Sequence, residues 1–263
     1  FSRVDYDARV PGAGTFRQVF ECFGRLLYNE KFAHKGPAYS EGNNHWWYAG
    51  LVDGNYAQTQ VASNAPERLL VDFDLLKMAP LSMDAGLNYR GGPRVTSDQH
   101  LACILAYGHI GGSGGPGGSS GAARDYYMLQ QTQKRYAMEP VARIEYDNQG
   151  TLVEISQAII TDAYKSGRVH VVYQNGTEVY VNGSAGQWSL KTAAGQLELP
   201  EWGYVVFRPG ENPATRGLDL LTASTLVPVA GPDATNGPRQ RVDQSLGTNQ
   251  FYANSRGELV GAQ

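Results

Sequence analysis

The residues with the most chemistry in them lie together, in Gly36-Pro37-Ala38-Tyr39-Ser40-Glu41-Gly42-Asn43-Asn44-His45-Trp46-Trp47. A carboxylate, a histidine, two asparagines and paired tryptophans follow a short strand-like run. A carboxyl group can give or take a proton, and aromatic faces stack on the apolar faces of pyranose rings. The segment therefore suits a sugar-handling site. The competing reading is a surface loop whose tryptophans fold back into the core.

Glycoside hydrolysis needs two carboxyl groups across the scissile bond, about 5 Å apart for retention and roughly 6.5–9.5 Å apart for inversion. One must stay protonated, which a pocket walled by Trp and Tyr achieves by disfavouring the charged form. Glu41, beside Trp46 and Trp47, is the candidate general acid/base. Asp5 and Asp7, ahead of an irregular loop at 9–14, are candidates for the second carboxylate, as nucleophile or as ligands of sugar hydroxyls. Loop capping is the competing explanation for each. Asp53, in Ala49-Gly50-Leu51-Val52-Asp53-Gly54, either holds a substrate hydroxyl or caps the Gly54 turn. With Asn44, His45, Trp46 and Trp47 it would shape the sugar subsites. Asp72 and Asp74 share a face if 69–78 is a strand, and Asp84 adds a further acid.

Other chemistries find less support. His100 and His109 read as hydrogen-bonding groups near helix ends, and neither an HExxH motif nor a tight His/Asp cluster occurs, so no metal or other cofactor is expected. The Gly-rich stretch at 108–121 lacks the Lys-Ser/Thr of a phosphate loop and follows a helix rather than a strand. Gly112-Ser113-Gly114 within it has no strand–turn–helix setting for a nucleophilic serine.

Two grammars divide the chain. Residues 15–28 carry Phe16, Val19, Phe20, Phe23, Leu26 and Leu27 at helical spacing. Residues 35–41 are extended, 69–78 are apolar and suit strand or helix, and 86–93 form a Gly/Pro loop. Ser97 is the expected N-cap of a helix through Tyr107. The stretch at 108–121 reads as a flexible connection and 124–137 as the last helix. After Pro140 come short β-branched or aromatic runs at 141–146, 152–155, 169–173, 178–181, 187–190, 196–199 and 204–207. Asn148-Gln149-Gly150, Asn175-Gly176, Asn182-Gly183 and Pro209-Gly210 separate them. That pattern predicts an antiparallel β-sandwich. The expected organisation is an α/β region at 1–137 and an all-β domain at 139–263, with a polar, loosely ordered tail beyond Pro228. The two sequons, at Asn175 and Asn182, read as hairpin turns instead.

The 263 residues are 41% hydrophobic and 18% charged, with a net charge of -3 and no basic run. They form a globular chain rather than a disordered one, and a phosphate-tracking nucleic-acid surface is excluded. No apolar run approaches the length of a membrane span, and no signal peptide is visible. The chain opens on Phe1, so either a leader has been removed or an upstream part of the same polypeptide exists. Cys22 and Cys103, in apolar surroundings, are expected as buried free thiols.

The Gly-Pro-x-x-Ser-Glu-Gly segment with its following His and aromatics, and Ala-Gly-Leu-x-Asp-Gly at 49–54, resemble the later strands of (β/α)8-barrel glycoside hydrolases. Within them the chain is similar to the endo-α-N-acetylgalactosaminidase-like group. The resemblance implies a partial barrel at 1–137 with Glu41 at a strand's C-terminal end as acid/base, followed by an appended sandwich. It also implies a carbohydrate substrate and a secreted or periplasmic enzyme. A complete barrel needs about 250 residues, so the early strands and the nucleophile would lie upstream. The alternative class is a non-catalytic carbohydrate-binding or structural surface protein.

Overall fold

A computed structural model gives the chain an α-plus-β architecture, described at residues 16–41, 51–56, 81–83, 96–111, 118–192, 195–210, 217–229, 237–246, 251–253 and 259–262. Helix α1 (Phe16–Tyr28) runs into a π-helical turn (Asn29–Ala33). Strands β1 (Tyr39–Glu41), β2 (Gly54–Tyr56) and β3 (Leu81–Met83) then pair in parallel, in that order. The helix follows the stripe read from sequence, yet buries little of it: Phe20, Phe23 and Leu27 are half-buried, while Leu26 is 59% exposed.

Helix α2 (Ser97–Tyr107) is capped one residue earlier than its sequence suggested. Thr96 is extended and its Oγ1 accepts the Gln99 N–H at 3.1 Å, whereas Ser97 donates its hydroxyl to Asp125 at 2.8 Å. Both are good capping residues, and the tertiary partner decides between them. Residues 100–107 are all buried, and the helix stops at Gly108, whose φ of 63° lets its N–H reach back to the carbonyls of Ile104 and Leu105. Helix α3 (Gly118–Tyr136) also corrects an expectation, because it begins inside the Gly/Ser-rich stretch rather than at 124. Tertiary packing outweighs the weak helix propensity of these residues. Its last residue, Tyr136, donates its hydroxyl to the His109 carbonyl at 2.8 Å, locking the end of α3 to the end of α2.

The remainder is dominated by one sheet. Strands β4 (Val141–Asn148), β5 (Thr151–Glu154), β6 (Arg168–Tyr173), β7 (Glu178–Asn182), β10 (Gly203–Pro209), β11 (Leu218–Pro228), β12 (Arg239–Ser245), β13 (Phe251–Ala253) and β14 (Leu259–Ala262) form it. The order is β14-β13-β12-β11-β10-β7-β6-β4-β5, antiparallel throughout. A short helix α4 (Ile155–Ile160) and a 3-10 turn (Ala163–Ser166) join β5 to β6. Strands β8 (Trp188–Thr192) and β9 (Gly195–Leu199) form a separate hairpin. The β6–β7 turn is the expected Asn175-Gly176, with Gly176 at φ +77° and so close to Pro209 that a Cβ would clash. Asn175 Nδ2 reaches across to the Arg135 carbonyl at 2.8 Å, near the end of α3.

Alternation along the strands divides the sheet into two unlike faces. Val169, Val171, Val179, Val181, Tyr204 and Val206 join Leu101, Ile104, Leu105, Met128 and Leu129 in the main core. Tyr180, Val205, Phe207 and Ala223 point the other way and meet Trp188, Leu190 and Leu199 of the hairpin. Helices therefore occupy the face where a sandwich would carry its second sheet, and a two-stranded hairpin covers part of the other. The main core runs across position 138, so the division expected there does not separate two cores. Strands β11 and β12 pair over seven register positions, carrying order past Pro228.

Cys103 is buried as expected; Cys22 is free but exposed, because the α1 stripe it borders is itself uncovered. Among the described residues, no helix is long and apolar enough to cross a membrane.

Candidate functional site

Glu41 is the last residue of β1, in register with Tyr56 at the end of β2, which in turn is in register with Met83 at the end of β3. Parallel strands need crossover connections, so consecutive parallel neighbours bring the same end of each strand to one rim. Glu41 stands on the C-terminal rim.

Asp53 stands at the opposite end. It directly precedes β2, and Tyr39 pairs with Gly54, so Asp53 lies level with Ala38. Three register positions separate it from Glu41, about 10 Å along the strand. Its Oδ2 accepts the Ala38 N–H at 3.0 Å and its Oδ1 meets Lys31 Nζ at 3.1 Å. Asp53 N–H returns a bond to the Ala38 carbonyl at 2.8 Å. The Ala38 N–H, then Lys31, hold the Asp53 carboxyl below its ordinary pKa. Chemically this is a clasp that aligns β1 with β2. An open cavity of about 450 Å³ beside it is lined by Lys31, Lys35, Pro37, Tyr39, Asp53 and Met138.

Two charged clusters went unread in the sequence. The first lies on the hairpin side of β4, β6 and β7. His170 faces Glu145 directly across β4 and Tyr180 directly across β7. Its Nδ1 lies 2.9 Å from Glu145 Oε2 and its Nε2 3.3 Å from Glu178 Oε2, while its ring stacks on Tyr180 at 3.9 Å and 7°. Tyr180 donates its hydroxyl to Glu178 at 3.0 Å, and Arg143 pairs with Glu145 at 3.0 Å. The hydrogen bond from His170 holds the Glu178 carboxyl below its ordinary range against partial burial. Burial, then the Glu178 charge, push the Tyr180 phenol up.

The second cluster joins the helices to the sheet. Arg124 of α3 reaches Asp243 of β12 at 2.7 Å and Asp98 of α2 at 2.6 Å. Arg241 bonds Ser224 at 2.7 Å and pairs with Asp98 at 2.8 Å, and Ser224 donates to Asp243. Arg241 also donates to the carbonyl of Trp202, a residue held at φ 56°. Burial opposes the Arg124 charge, but Asp243, Tyr204 and Asp98 outweigh it and raise its pKa. Desolvation raises Asp125 against the hydrogen bond from Ser97 and the nearby Arg124 charge.

Asp5, Asp7, Asn44, His45, Trp46 and Trp47 lie outside the described residues, as do Asp72, Asp74 and Asp84 and the run at 69–78. Of the predicted site, then, Glu41 and Asp53 have a described backbone, and they fall at opposite ends of the parallel strands. A signal for the His170 cluster was present in the sequence: alternation puts Glu145, His170, Glu178 and Tyr180 on one sheet face once the strands are paired. Among the described residues, no group of three or more His, Cys, Asp and Glu is placed to hold a metal ion. No family model, curated protein or solved structure matches this chain.

Proposed function

We propose that this chain belongs to a carbohydrate-active hydrolase that cleaves glycosidic bonds, with Glu41 as general acid/base. One observation carries the reading: Glu41 ends the first of three consecutive, parallel, in-register strands. In (β/α)8 barrels the catalytic groups stand at that rim, and the finer fold we propose for the first part of the chain is a section of such a barrel. The second, antiparallel part would be the appended β domain.

The chemistry follows from two carboxyl groups of unlike protonation. Glu41, kept neutral beside Trp46 and Trp47, gives its proton to the leaving glycosidic oxygen. An ionised partner, for which Asp5 and Asp7 are the candidates, attacks the anomeric carbon or activates a water. Asn44 and His45 hold hydroxyls, and the tryptophans stack on the sugar. Asp53 is a positioning residue in this reading: by clasping Ala38 it fixes the β1 backbone three residues before Glu41.

The test is Glu41→Gln, assayed with aryl glycosides and natural glycans for turnover and by calorimetry for binding. Loss of turnover by about 10²–10⁴-fold with sugar binding retained is expected. Wild-type-like turnover in E41Q removes Glu41 from the mechanism. Glycan retention with no sugar ever released, even by the wild type, replaces the enzyme with a carbohydrate-binding protein.

A further inference from the structure

The His170 cluster is independent of the proposed hydrolase site and carries an inference of its own. Both ring nitrogens lie within hydrogen-bond distance of a carboxylate oxygen, at 2.9 and 3.3 Å. An ionised carboxylate accepts hydrogen bonds and donates none, so satisfying both contacts requires a proton on each nitrogen, the imidazolium. A neutral ring has one N–H and one lone pair. It keeps one carboxylate and turns a lone pair on the other. With His170 only 3% exposed, water has little room to mediate.

Arg143 and Glu145 face the ring from β4, and Glu154 of β5 is in register with Glu145. Arg168, two residues along β6, is occupied by Asp147 at 3.1 Å. Glu178 and Tyr180 face it from β7. On the hairpin and β10, Trp188 and Phe207 lie against Tyr180, each with ring centroids 6.3 Å away. Charged His170 and Arg143 offset Glu145 and Glu178, beside which Glu154 adds a third carboxylate; a neutral ring leaves one more negative charge over.

We propose that His170 is a proton-operated latch between β4 and β7: as imidazolium it ties Glu145 to Glu178, and on losing a proton it lets the Glu178 side go. The Glu145 contact is the shorter and keeps the remaining proton. Glu178 then moves away from the lone pair, and Tyr180, which donates to that same oxygen, shifts under the hairpin. Protonation is thereby coupled to how tightly β8 and β9 cover the sheet.

The test is NMR of the full chain with ¹⁵N labelling, following the His170 ring nitrogens and the backbone amides against pH. The expected result is an imidazolium with two protonated nitrogens that becomes a single tautomer as pH rises. Amide signals at 178–182 and 188–190 should shift with the same midpoint. In Glu178→Gln the side-chain amide can donate to the neutral ring, so those coupled shifts should be lost while the fold persists. Ring titration without movement of β7 and β8 overturns the latch. So does a ring that keeps one protonation state wherever the protein is folded, or an E178Q protein whose amides shift as in the wild type.

Discussion

The parallel strands and the antiparallel sheet are built at different scales. Each strand of β1–β3 is three residues long, and helix α1 before them has no fully buried residue among those described. The antiparallel sheet packs two helices on one face and a hairpin on the other, and its charges are buried and cross-linked. The first region is aligned by local devices such as the Asp53 clasp. The second is held by long-range burial, where removing one group strands another. The same kind of ion pair should therefore matter far more in the second.

The largest effect expected is from Arg124→Met. Buried Asp243 would lose its close cation, keeping Ser224 and the more distant Arg241 at 3.9 Å, which costs about 3–5 kcal/mol, read as a lowered midpoint in denaturant unfolding. A change below about 1 kcal/mol would put this network on a par with exposed ion pairs and erase the contrast. Ile104→Ala, in the centre of α2, should cost about 2–5 kcal/mol through its cavity, with loss of protection in both the helices and β6–β7. Protection lost in the helices alone would mean that the two layers do not share their core energetically. Tyr136→Phe removes the hydroxyl that donates to the His109 carbonyl and should cost about 0.5–1.5 kcal/mol in the same assay.

Acid sharpens the comparison further. Glu178 and Asp53 are both held below their ordinary pKa values, Glu178 first by its bond from His170 and Asp53 first by the Ala38 N–H. The stability each adds is present above the ordinary carboxylate values, for Glu178 as long as His170 keeps both protons, and disappears as pH falls through the lowered ones. The sheet should loosen through Glu178 and the parallel strands through Asp53, separately visible as amide exchange in 178–182 and at Ala38, Asp53 and Gly54. The smallest effect expected is from Asp53→Asn. It should change global stability by no more than about 0.5 kcal/mol while speeding exchange at Ala38. Global unfolding in D53N would show the parallel strands to be as integral as the sheet.

Local pattern carried most of the elements into view. The α1 stripe and the β-branched runs from Val141 to Phe207 are periodic over their own length, and periodicity is a local property. Pairing is not. His170 sits in Val169-His170-Val171-Val172 and reads as one polar residue in an apolar strand until β4 and β7 bring up Glu145 and Glu178. Asp53 and Glu41 looked like neighbours in a loop cluster; where β2 begins, one residue after Asp53, sent them to opposite rims. Helix α3 began early and helix α4 was missed because one is weak in propensity and the other is six residues long. The expected boundary followed the change in grammar at Pro140, whereas the core follows who packs on whom.

Arg124 finds Asp243 119 residues later in the chain. At about 5–20 residues per second of synthesis, helices α2 and α3 wait roughly 6–24 s for the strand that completes their interface. The buried stripe from Leu101 to Leu105 is covered sooner, by β6, β7 and β10, and has no sheet over it until those strands emerge. A nascent chain of this protein should therefore be a strong client for holding chaperones until β10 emerges, with the Arg124–Asp243 seam closing only when β12 follows.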